Sequence, residues 1–374
     1  MSRLVFGNYP TDMLEPEYIG FGQFFPSPEM QLVSASTGLI LTRDPVSGAT
    51  VAMHGLFDFS SEAALLNSRA FGMTWKTGAG ELLLDWSGSI RVGDALNAAN
   101  TEALIPIALG GDDEVVGTDG ADVLRAAGGG DTIMGKGGGD TLLGDAGNDL
   151  LDGGEGVDGA RFLGVTGNFV LTRDRLNLNL LDKTGVEGSD RLVSIERLQF
   201  ADKSFELVNP PRPGPPVYNT DKGFLFDAVY YLLDNPELVP AENVNTALAH
   251  YFAAGAAQGK APTSWFDATW YENRWPDLTP YQFDDATLFM HYNLYGVWEG
   301  RSAGPAFDKF DGNRYLADNP DVAAYVDSHL PDFLGSRSNG AIAHYVIYGQ
   351  HEQRLAFDLV GQAIDLGYTI DLGG

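Results

Sequence analysis

Six aspartates recur every nine residues through a Gly-rich stretch: Asp113, Asp122, Asp131, Asp140, Asp149 and Asp158. Two residues before each stands a glycine: Gly111, Gly120, Gly129, Gly138, Gly147 and Gly156. Two residues after each stands an apolar residue: Val115, Leu124, Ile133, Leu142, Leu151 and Ala160. Carboxylate oxygens brought together in a row are ligands for a hard divalent cation, which takes six to eight oxygens when it is Ca²⁺. The elements that must position them follow from the same spacing. Each glycine lets the chain turn, because it accepts positive φ. A short strand then points its apolar residue inward. Two units make one turn of a flattened coil, and successive turns pair as parallel strands. Asp113, Asp131 and Asp149 then share one edge, and Asp122, Asp140 and Asp158 the other. Carboxylates stacked at about the 4.8 Å strand spacing repel one another unless a cation lies between turns. Six units leave four same-edge neighbour pairs, hence about four internal Ca²⁺ sites.

The repeat resembles the RTX (haemolysin-type) calcium-binding family of bacteria, whose unit is Gly-Gly-x-Gly-x-Asp-x-U-x. The fifth unit here reads Gly144-Asp-Ala-Gly-Asn-Asp-Leu-Leu-Asp152. The first unit departs at Ala108-Leu109 and the third at Ala126-Ala127, which weakens the case for calcium at those turns. Gly188–Leu207 is similar to the segment that closes such rolls. The resemblance implies export by type I secretion, with an uncleaved signal in the C-terminal tail, 356–374. The N-terminus, Met1–Pro10, lacks the apolar run of a cleaved signal peptide, as that route would require.

Composition divides the chain further. Residues 1–106 carry short apolar runs between turn residues and read as a mainly β N-terminal domain, with a helix near Ser61–Ser68. Residues 107–161 hold 17 of the 47 glycines and form the expected parallel β-roll, and 162–208 a β segment that closes it. Five prolines within Asn209–Pro216 mark a stiff spacer, 209–222. Beyond it, 223–355 read as three α-helical repeats. Phe226-Asp227-x-x-x-Tyr231 recurs at Phe266-Asp267 with Tyr271 and at Phe310-Asp311 with Tyr315. Each is followed by a proline with an acid (Pro236-Glu237, Pro276-Asp277, Pro320-Asp321) and by His-Tyr with a later glycine: His250 and Gly255, His291 and Gly296, His344 and Gly349. Lys260, Arg301 and Arg354 come ten residues after each His. The aspartates are expected to be N-caps, the Phe–Tyr pairs staples, and the glycines left-handed helix stops. Asn235 and Asn319 are expected to cap the helix that begins at the following proline, a role Trp275 cannot fill. The repeats resemble helical units that accompany calcium-binding modules in bacterial secreted and surface proteins. The fold class expected is therefore multidomain.

Several chemistries are excluded. The chain has no Cys, so it holds neither disulfides nor thiolate sites. A formal charge of −28 repels nucleic acid. No apolar run is long enough to span a membrane. There is no His-Glu-x-x-His zinc motif and no Gly-x-Ser-x-Gly elbow. Gly130–Lys136 mimics a phosphate loop, and Gly154, Gly156 and Gly159 a dinucleotide fingerprint, but both are by-products of the nine-residue period. The histidines read as packing groups, and Trp265, Trp270, Trp275 and Trp298 as core or, if exposed, as a sugar-stacking surface. The reading is a secreted, non-enzymatic, calcium-binding structural protein. It self-associates in a surface layer, matrix filament or adhesive coat. The alternatives are a secreted hydrolase with a cryptic site in the N-terminal domain, where His54 is the one histidine, or a module that binds a cell-surface glycan.

Overall fold

The computed structural model describes residues 109–174, 177–210 and 222–373, with six strands between residues 3 and 91. The helix expected near Ser61–Ser68 and most of the proline spacer lie outside the described residues. The chain divides into two compact units, Met1–Val170 with Leu178–Ser204, and Leu171–Asn177 with Phe205–Gly374.

In the first unit β1 (Arg3–Phe6), β2 (Gln31–Ser36), β3 (Leu39–Arg43), β4 (Thr50–Leu56), β5 (Arg69–Lys76) and β6 (Leu82–Arg91) form an antiparallel sheet in the order β2-β3-β4-β5-β6-β1. β1 then pairs in parallel with β7 (Glu114–Val116), Leu4 opposite Val115. The N-terminal sheet thus covers the strand edge that the first coil would leave open.

The roll follows. β7, β9 (Thr132–Met134) and β12 (Leu150–Asp152) are parallel, with Val115, Ile133 and Leu151 in register. β8 (Val123–Arg125), β11 (Thr141–Leu143) and β14 (Gly159–Arg161) make the second face, with Leu124 opposite Leu142 and Leu142 opposite Ala160. The two-residue strands β10 (Gly137–Gly138) and β13 (Glu155–Gly156) pair along one turn. Each paired position is 18 residues on, which is two nine-residue units per coil. The six inward residues are all 0% exposed, and the core is only one or two apolar side chains per unit. After β15 (Phe169–Arg173) and β16 (Leu178–Asp182), the chain returns to both faces. β17 (Ser189–Val193) pairs in parallel with β12, and β18 (Arg197–Gln199) with β14. Phe162, Phe169 and Phe200 form a buried ring cluster with centroids 4.9–5.6 Å apart.

Among the described residues the second unit holds seven α-helices: α1 (Ala228–Asp234), α2 (Ala247–His250), α3 (Ala268–Arg274), α4 (Asp285–His291), α5 (Gly312–Asp318), α6 (Pro320–Ser328) and α7 (Arg337–His344). Asp227, Asp267 and Asp311 cap α1, α3 and α5, accepting from the N–H of Tyr230, Trp270 and Arg314 at 2.8–3.0 Å. The expected staples form, with Phe–Tyr centroids 5.2, 5.7 and 5.6 Å apart.

Two expectations fail here. Gly255 has φ −61° and sits inside the helix rather than ending it. The left-handed residue comes four positions later, at Gly259, Gly300 and Gln353. The N–H of Lys260, Arg301 and Arg354 then closes back on the carbonyl of Gly255, Gly296 and Gly349 at 2.8–3.0 Å, a Schellman closure. The glycines are required by packing, since a Cβ at each would collide with the hydroxyl of Tyr231, Tyr271 or Tyr315. The second failure concerns Asn235 and Asn319, neither of which caps the following helix. Each instead donates from Nδ2 to the carbonyl of Tyr231 or Tyr315 at 2.8 Å, closing the end of the preceding helix. The Asn Oδ1 accepts from Lys260 or Arg354, and the same basic side chains reach Glu237 and Asp321. Arg301 grips Asp277 with two hydrogen bonds of 2.8 and 3.0 Å. The acid after each proline therefore has a partner within its own repeat, besides its place near a helix start.

Candidate metal centre

The aspartates stand where the nine-residue spacing puts them. All six are buried, 0–3% exposed. On one edge the Asp113 N–H donates to Asp131 Oδ1 at 2.7 Å, and the Asp131 N–H to Asp149 Oδ1 at 2.8 Å. On the other, the Asp122 N–H donates to Asp140 Oδ1 at 2.8 Å, and the Asp140 N–H to Asp158 Oδ1 at 2.7 Å. One oxygen of Asp131, Asp140, Asp149 and Asp158 thus ties adjacent coils together. The second oxygen, Oδ2 of Asp131, Asp140, Asp149 and Asp158, is buried and has no hydrogen-bond partner. Asp122 Oδ2 differs, accepting from the N–H and hydroxyl of Thr118 at 2.6 and 3.0 Å.

Buried carboxylate oxygens without donors are costly unless a cation meets them. The turns are shaped for one. A Cβ at Gly135 would collide with Asp140 Oδ2 and the Gly153 carbonyl, and one at Gly144 with Asp149 Oδ2. Carboxylate and carbonyl oxygens therefore face space that only glycine leaves open. Among the described residues no three His, Asp or Glu side chains converge as a metal-binding group. Turn carbonyls must then supply most of a coordination shell, as Ca²⁺ accepts and Zn²⁺ does not. The residues present fit calcium.

Positive φ at the second position of a unit is taken by Gly154 in the sixth unit, but by Ala127, Lys136 and Asp145 in the third, fourth and fifth. The altered third unit keeps the coil path: Ala126 is fully buried and its N–H donates to the Leu143 carbonyl at 3.0 Å. Asp145 is held by an ion pair with Arg125. The phosphate-loop mimic Gly130–Lys136 contains strand β9, and in the dinucleotide mimic Gly156 and Gly159 belong to β13 and β14, so each runs into a strand rather than a helix.

Burial holds three of these carboxyls, Asp131, Asp140 and Asp149, above the usual carboxylate range. Asp131 is raised to about 7, and Asp140 and Asp149 to about 6, against the lowering effect of backbone N–H donors and with neighbouring carboxylates adding to the rise. In the absence of metal the native coil thus holds protons that the unfolded chain has lost. Its stability is expected to fall as pH rises from the ordinary carboxylate range toward about 7. Acid should therefore partly stand in for calcium: in chelator, circular dichroism of the full chain is expected to show more of the roll's β signal at about pH 5 than at about pH 8, and no gain on acidification would contradict the burial of Asp131, Asp140 and Asp149.

The three recurring histidines are not brought into a ligand cluster with acids. His250, His291 and His344 each place Nδ1 2.7–3.0 Å from the hydroxyl of Tyr231, Tyr271 or Tyr315 in their own repeat. Burial holds His291 and His344 below the usual imidazole range, which favours the neutral ring in these Tyr–His hydrogen bonds. Trp265, Trp275 and Trp298 pack partly buried against the helical core. The side chain of His54 lies outside the described residues; its backbone is in β4.

The RTX calcium-binding nonapeptide repeat (4 copies) matches residues 107–142 and again 125–159. Residues 107–159 therefore carry RTX repeats, a class of repeat that binds calcium. Among solved structures, the extracellular lipase LipA from Serratia marcescens is similar at 25% identity, with a TM-score of 0.22, over 24% of this chain. The chain covers 14% of that lipase. No curated protein matches the chain.

Proposed function

We propose that the protein is a secreted calcium-binding protein of structural role, whose roll folds when calcium enters the two columns of aspartates. The observation that carries this reading is the set of buried, partnerless carboxylate oxygens at Asp131, Asp140, Asp149 and Asp158, those of Asp140 and Asp149 facing the glycine turns at Gly135 and Gly144. Extracellular sites of this kind bind at about 10⁻⁴–10⁻³ M. They stay empty in a cell and fill outside it, which keeps the chain unfolded for export. Among the described residues no helix is long and apolar enough to cross a membrane.

The finer reading is self-association into a surface layer, matrix filament or adhesive coat. A net charge of −28 opposes association, and each bound Ca²⁺ offsets two of those charges. Assembly should therefore need calcium beyond what sodium screening supplies. Light scattering of the full chain in millimolar Ca²⁺, against the same ionic strength of NaCl, tests this. Growth in mass only with Ca²⁺ is expected. A monomer at high concentration in both would remove the structural reading and leave a calcium-binding module with another task.

A further inference from the structure

The repeats recognised by period end at Asp158, yet both carboxylate columns continue. The Asp149 N–H donates to Asp190 Oδ1 at 2.9 Å, and the Asp158 N–H to Glu196 Oε2 at 2.8 Å. These two bonds repeat the step made by every earlier coil, although the acceptors come 41 and 38 residues later in the chain. The glycine column continues too. A Cβ at Gly129 would strike the Gly111 carbonyl, one at Gly147 the Gly129 carbonyl, and one at Gly188 the Gly147 carbonyl. Gly188-x-Asp190-x-Leu192 therefore occupies the place of a seventh unit, with Leu192 inside at 4% exposure. On the other edge Glu196 and Leu198 take the places of Asp158 and Ala160 one coil on: Leu198 pairs with Ala160 and is fully buried, and the Ser194 carbonyl faces Gly153 as the Gly153 carbonyl faces Gly135, with the turn from Ser194 to Glu196 three residues shorter than in the earlier units.

We propose that Asp190 and Glu196 complete two further calcium sites, one between Asp149 and Asp190 and one between Asp158 and Glu196. The inference rests on the calcium reading of the columns and extends it beyond the matched repeats. Its second, independent support is Oδ2 of Asp149 and of Asp158. Both side chains are at least 97% buried, and neither oxygen accepts from an N–H or hydroxyl donor. A roll that ended at Asp158 would leave those oxygens facing nothing. The columns then hold six carboxylate steps rather than four: 113–131, 131–149 and 149–190 on one edge, and 122–140, 140–158 and 158–196 on the other. Filling the last two ties β17 and β18 to the coil, so the closing segment docks only once calcium is present.

Native mass spectrometry and calcium titration of the full chain test the proposal with Asp190→Asn, Glu196→Gln and the double variant, beside Asp131→Asn. The amides keep an oxygen that accepts the Asp149 or Asp158 N–H, so the backbone ties survive while one charge is lost from each site. Each single variant should weaken one ion by about tenfold or more, since ligand charge sets the affinity of such sites. The double variant should carry two fewer ions at a calcium concentration that fills the rest. Wild-type stoichiometry and affinity in the double variant, with ions lost in Asp131→Asn, would overturn the two added sites and leave the columns intact. No calcium bound by the unaltered chain would remove both. Loss of every ion in the double variant would also count against it, because independent terminal sites should spare the inner ones; circular dichroism in saturating Ca²⁺ separates that outcome from simple misfolding.

Discussion

Removing calcium is expected to unfold residues 113–198 while the helices between Ala228 and Gly349 persist. Chelator should remove the roll's share of the low-temperature β signal and its thermal transition while the helical transition remains; millimolar Ca²⁺ should restore both. The size of the effect follows from the balance of terms. The roll's core is only one or two apolar side chains per unit, with the small Ala160 among them, so burial alone holds it weakly. Against that stand buried carboxylates stacked coil on coil, whose charge is costly without a partner. Each ion at tenfold excess over Kd adds about 1.4 kcal/mol, so six would add about 8 kcal/mol, comparable with the whole stability of a small domain. Position in the column should grade the effect. Asp131→Ala touches two steps and Asp113→Ala one. The former should therefore cost more in stoichiometry and cooperativity. Asp149 and Asp158 are inner members as well, because Asp190 and Glu196 follow them, and their alanine variants should resemble Asp131→Ala. Equal losses at Asp113 and Asp131 in a calorimetric titration would argue against the stacking.

The second large effect is expected at Gly296. Helix propensity alone favours Gly296→Ala by about 1 kcal/mol. The structure reverses the sign. The new Cβ would collide with the Tyr271 hydroxyl and come 2.8 Å from Tyr292 Cδ2, between two side chains that are fully buried. Overpacking of this kind costs about 1–3 kcal/mol. A loss of several degrees in the helical transition is expected, with Tyr271→Phe in the same chain recovering part of it, because the hydroxyl is the colliding group. A variant melting at or above the unaltered protein would show that packing against Tyr271 does not require the glycine.

These two predictions differ in how far they were legible in the sequence. The coil was legible because each of its requirements is local: a turn glycine, a ligand and a core residue recur within nine residues. Their register therefore survives in the linear pattern. The last two steps of the columns broke that period, since the excursion through β15 and β16 separates Gly188 from Gly156 by 32 residues rather than nine. The signal that remained was the triad itself, Gly188-x-Asp190-x-Leu192, which matches the spacing of the six before it. In the helical repeats, the caps at Asp227, Asp267 and Asp311 were legible because an N-cap is satisfied three residues away. The role of Gly255, Gly296 and Gly349 was not, because its cause is a tyrosine 24 to 34 residues earlier that reaches back across the repeat. Asn235 and Asn319 were misread for a related reason. A residue between two helices can serve the end of one or the start of the other, and the nearby Lys260 or Arg354 decides for the former.

Anomalous diffraction from crystals grown in calcium tests the central claim most directly. The account predicts peaks along two columns, Asp113 to Asp190 and Asp122 to Glu196, each between successive carboxylates and bounded by glycine turns. Calcium density absent from both columns, with the carboxylates still buried and stacked, would contradict it.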